Sequence, residues 1–133
     1  NDFENADVLL EYGINSNPFL SYSKDLKLES LLMQNKLIQA LSEVKPMLRN
    51  SRNSELYFDI FFAICVSLNL EQELVNIYPL INDLNDEVLI VKFFKNYVTL
   101  NQYNKETFRK LIVNTLRKYP ENSDLNQLYN KVK

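Results

Sequence analysis

Apolar residues recur at helical spacing along almost the whole chain. Asp2 can cap a first stripe of Phe3, Ala6, Leu9 and Leu10, and Gly13 supplies a left-handed stop before the loop Asn15-Ser16-Asn17. Asn17-Pro18 reads as an N-cap followed by proline at the first helical position. A second helix is expected from there to about Gln34, where Asn35 breaks it. Leu37, Ile38, Leu41, Val44 and Leu48 mark a third helix, with Pro46 placed near its end to kink it. Asn53-Ser54-Glu55 opens a fourth, carrying Leu56, Tyr57, Ile60, Phe61, Ile64 and Leu68. Leu74, Ile77, Tyr78 and Ile81 form a fifth stripe. Asn85-Asp86-Glu87 begins a sixth helix with Val88, Val91, Phe94 and Val98. Asn104 caps a seventh with Phe108, Leu111, Ile112, Thr115 and Leu116, which Pro120 closes. Ser123-Asp124 caps a last helix whose Leu125, Leu128, Tyr129 and Val132 leave Asn126, Gln127, Asn130, Lys131 and Lys133 outside, the pattern of a capping helix over residues 123–132. No segment alternates as a strand would.

The stripes repeat. At an offset of 32, Glu55 falls on Glu87, Phe61 on Phe93, Phe62 on Phe94, Val66 on Val98, Leu68 on Leu100 and Asn69 on Asn101. Asn35 stands in the corresponding break upstream, 34 residues before Asn69, and Pro46 and Pro79 take comparable places in the helices that follow. A period of 32 to 34 with two helices per unit is the signature of stacked hairpins, each burying its apolar faces against its neighbours. The hairpins are expected at about residues 18–49, 54–82 and 86–119 of a single helical-repeat domain, residues 1–133. The alternative is a generic bundle whose helices match by chance.

The unit 87–120 resembles the tetratricopeptide repeat. Tyr97 lies where that family has an aromatic in its first helix, Asn101-Gln102-Tyr103 is similar to its Gly-Asp-Tyr turn, and Pro120 matches its closing proline. Phe94, and Glu106 or Thr107, stand where the family has small residues. The resemblance spans about residues 18–120 and implies an all-α fold, a right-handed α-α superhelix of about three stacked helical hairpins with flanking helices. It also implies that the first helix of each hairpin lines a concave groove. The groove positions are then Tyr22, Asp25, Glu29, Leu32 and Met33; Leu56, Asp59, Ala63, Val66 and Ser67; and Val88, Val91, Lys95, Val98 and Thr99. The Lys/Asn carboxylate clamp of chaperone-binding members is not recognisable among them. HEAT-like and clathrin-type hairpins share the same two-helix plan.

Composition narrows the chemistry. One Gly in 133 residues provides neither the turns of an all-β fold nor a phosphate-cradling loop. With no His, nucleophile–base triads that depend on one are excluded within the chain, and one Cys with no His cannot build a Cys/His zinc site. Cys65 lies in an apolar helix and reads as inert core, and a lone Cys fits an intracellular, most simply cytoplasmic, setting. Asp86-Glu87 reads as helix-cap chemistry and Glu71/Glu73 as a solvated face. No enzyme activity, cofactor or metal is expected. Phe61, Phe62, Phe93 and Phe94 read as core, against the alternative of a base-stacking platform. Lys92 and Lys95 interrupt the apolar stretch around Phe93, so no membrane insertion is expected. The start, Asn1 rather than Met and without a basic-then-apolar leader, reads as part of a longer protein with no signal peptide.

Charge is uneven. Residues 1–91 hold six Lys or Arg against 14 Asp or Glu, a net of −8, whereas residues 92–133 hold nine against three, a net of +6. The basic set includes Lys105, Arg109, Lys110, Arg117 and Lys118. It is either a solvated helix face or a docking surface for an acidic protein segment, for another copy of the chain, or for nucleic acid. The expected function is a non-catalytic protein–protein interaction module, a scaffold or adaptor segment of a larger complex. Its partner is another protein or peptide, with self-association possible. The alternative is RNA binding through the basic C-terminal third.

Overall fold

The computed structural model describes residues 20–50 and 54–133. The helix expected behind Asp2, the Asn17-Pro18 start and the Asn53 cap lie outside the described residues. Within them the protein is all-helical, with no strand: α1 Leu20–Met33, α2 Leu37–Val44, α3 Met47–Asn50, α4 Ser54–Ser67, α5 Glu71–Asp83, α6 Glu87–Tyr97, α7 Lys105–Lys118 and α8 Ser123–Val132. No described helix is long and apolar enough to cross a membrane.

The breaks are made by asparagine. Asn35 and Asn69 take the left-handed conformation, with φ of 58° and 55°, which asparagine tolerates better than other non-glycine residues. After α1, the Asn35 N–H bonds to the Leu32 carbonyl and the Lys36 N–H reaches back to Leu31. After α4, the Asn69 N–H bonds to Val66 and the Leu70 N–H to Cys65. Both are Schellman stops, which give the last carbonyls of a helix their partners. Asn85 takes the same conformation after α5, with φ of 54°, whereas the turn after α6 differs. There Gln102, not Asn101, has a positive φ, 59°, because α6 ends at Tyr97 and a longer turn follows. The starts of α6, α7 and α8 are capped by side chains. Asp86 accepts from the Leu89 N–H, Asn104 from Thr107 and Asn122 from Leu125. The cap of α8 is therefore Asn122, one residue before the expected Ser123.

The two prolines are not equivalent. Pro46 separates α2 from α3, whereas Pro79 sits inside an unbroken α5. Pro79 is on the exposed side, where water can take the carbonyl that its missing N–H leaves unpaired.

By contacts the chain divides into two compact units, residues 1–64 and 65–133, with the boundary inside α4. In the first, α1 packs on α2 and α2 on α3. Ala40, Leu41, Val44 and Leu48 are buried despite the break at Pro46. Phe58, Phe61 and Phe62 of α4 are buried with them, and the Phe61 and Phe62 rings meet edge-on at 6.1 Å. In the second unit α6 contacts both α5 and α8, and α8 also packs on α7. The centre is aromatic. Phe93 and Phe94 stand at 5.0 Å and 85°, Phe94 meets Phe108 at 5.5 Å and 89°, and Tyr97 meets Tyr103 at 5.8 Å and 89°. These edge-to-face arrangements suit the ring quadrupoles. The 32-residue match of Phe61-Phe62 with Phe93-Phe94 is thus a match of core pairs. With exposures of 1% or less, none of the four is available to stack on a base. Cys65 is fully buried.

Candidate functional site

The expected groove positions fall on α1, α4 and α6 and the residues just after them. On α1, Tyr22 and Asp25 precede Glu29, whose side chain is exposed; Leu32 is half-buried and Met33 exposed by 53%. On α4, Leu56 is exposed by 54%, and Asp59, Ala63 and Ser67 are exposed, with Val66 half-buried. In the first unit, α1 and α4 bring Leu28, Glu29, Leu32, Leu56, Tyr57 and Ile60 around a pocket of about 250 Å³. Three of the groove positions, Glu29, Leu32 and Leu56, are among its lining residues.

In the second unit, Val88 is exposed by 67%, Lys95 and Thr99 are exposed and Val98 is half-buried. Val91 is buried; it belongs to the core against which α6 packs and not to a groove wall. Lys95 lies 3.6 Å from Asp124 at the start of α8. Both side chains are half-exposed, so this pair adds little stability. The Thr99 hydroxyl donates to the Asn96 carbonyl at 2.6 Å.

Three of the five basic residues have partners within the chain. Arg109 donates from Nε and Nη2 to the Val132 carbonyl at 3.0 and 2.8 Å, satisfying the C-terminal end of α8. Lys118 donates to the Asn82 carbonyl near the end of α5 at 2.7 Å and lies over the Tyr119 ring. Lys110 is 3.6 Å from Glu106, one turn back. Lys105 and Arg117 are exposed.

Sequence reasoning missed a clasp in the second unit. Glu71, expected on a solvated face, is half-buried. Its carboxylate accepts the Tyr97 hydroxyl at 2.5 Å and the Asn104 N–H at 3.0 and 3.1 Å. Beside it the Asn69 side chain accepts the Asn101 N–H at 3.0 Å. Burial, then the Glu71 hydrogen bond and charge, then Tyr103, hold the Tyr97 phenol far above its ordinary pKa. A second set joins α5 to α7. The Tyr78 hydroxyl lies 2.7 Å from Thr115 Oγ1 and 3.3 Å from the Leu111 carbonyl, and it accepts from Asn114 Nδ2 at 3.0 Å. Glu87 at the start of α6 accepts from Asn122, the cap of α8. The only advance signal was arithmetical: Asn69–Asn101 and Glu71–Asn104 are separated by 32 and 33 residues, the period of the repeat.

Among the described residues no three Cys, Asp or Glu gather as a metal site requires. No protein-family model matches the chain, and no curated protein or solved structure is similar to it.

Proposed function

We propose that this chain is a degenerate tetratricopeptide-like array and works as a non-catalytic protein–protein interaction module within a larger assembly. The array would be a right-handed superhelix of about three hairpins, closed by the helix over 123–132. The observation that carries this reading is the set of bonds between equivalent turns. Asn69 and Glu71 follow one first helix; Asn101 and Asn104 follow the next, and the pairs bond directly. Helices that repeat at a fixed period and meet through equivalent positions behave as stacked units. α5 meets α7 through Tyr78, and α6 meets α8, which is the neighbour relation of second helix to second helix and first to first. Phe94, where the family has a small residue, meets Phe108 and fills the space between α6 and α7 with rings.

The expected groove positions include exposed apolar side chains that no core requirement explains, Met33 and Leu56 in the first unit and Val88 in the second. Quantitative affinity capture with the chain, Asp59→Lys and Lys95→Glu tests the assignment, with far-UV circular dichroism confirming that the variants fold. Partners retained by the parent chain are expected to be lost from one or both variants. Unchanged recovery in both would remove the groove.

A further inference from the structure

We draw no further inference here: the strongest candidate, the apolar pocket of about 250 Å³ between α1 and α4 with Leu56 exposed in its lining, carries none because nothing in the structure shows what covers it.

Discussion

Glu71→Ala should be among the more costly substitutions of a half-buried polar residue in the second unit. The carboxylate accepts three contacts from two donors, the Tyr97 hydroxyl and the Asn104 N–H. The donors differ in what they lose. Asn104 is exposed, and water replaces the carboxylate on its N–H at small cost. Tyr97 is fully buried, between Phe93, Tyr103 and Phe108. Its hydroxyl would be left without an acceptor, a loss of about 1–3 kcal/mol. The expected total is about 2–3 kcal/mol for Glu71→Ala, and about 1 kcal/mol for Glu71→Gln, which keeps an acceptor but gives up the charge. Tyr97→Phe removes the donor and should cost about 1 kcal/mol. Urea unfolding followed by circular dichroism measures these values, and a midpoint shift of about 3–5 °C per kcal/mol gives an independent check. The decisive quantity is the coupling. In a double-mutant cycle Glu71→Ala and Tyr97→Phe should interact by about 1–2 kcal/mol, since the first substitution strands only what the second removes. A coupling below about 0.3 kcal/mol would mean that the hydroxyl does not depend on Glu71, and the clasp would be no more than proximity.

Alkaline pH gives a second reading of the same pair. The Tyr97 pKa is raised in the fold above the ordinary tyrosine value of about 10, so above pH 10 the unfolded chain releases this proton and the folded chain keeps it. Stability should then fall by at most about 1.4 kcal/mol per pH unit from this group, and the fall should be shallower in Tyr97→Phe. Leu125, the fully buried residue of α8, should cost about 2–4 kcal/mol as Ala, and a chain ending at residue 121 should melt earlier and self-associate through the uncovered faces of α6 and α7. A melting curve and a sedimentation velocity run decide this. Asn35→Gly should be neutral or slightly stabilising and Asn35→Ala destabilising by about 1 kcal/mol, because only the Ala side chain resists a φ of 58°; equal effects would contradict the turn. Oligonucleotide binding should be weak even at low salt, because Arg109, Lys110 and Lys118 already have partners within the chain; tight binding that weakens steeply with added salt would favour the RNA alternative.

The helices were legible from residue order because their causes are local. An apolar stripe needs only neighbours three and four positions away, and the caps Asp86 and Asn104 bond within three residues. The break at Asn35, the break at Asn69 and the separation at Pro46 were readable for the same reason. The 32-residue match by itself marks the paired Phe residues as a recurring core device. Other features depended on which faces meet. Nothing near Glu71 in sequence distinguishes it from Glu73; it became a clasp only because the turn after α6 brings Tyr97 and Asn104 to it. Val91 fits a groove register as well as a core one, and its burial came from the neighbours of α6. The basic charges of α7 were countable in sequence, but their use was not. Arg109 ends α8 and Lys118 ends α5 because helices 23 and 36 residues away place bare carbonyls within reach. A carbonyl at a helix end takes a donor wherever folding presents one, and that choice belongs to the tertiary structure.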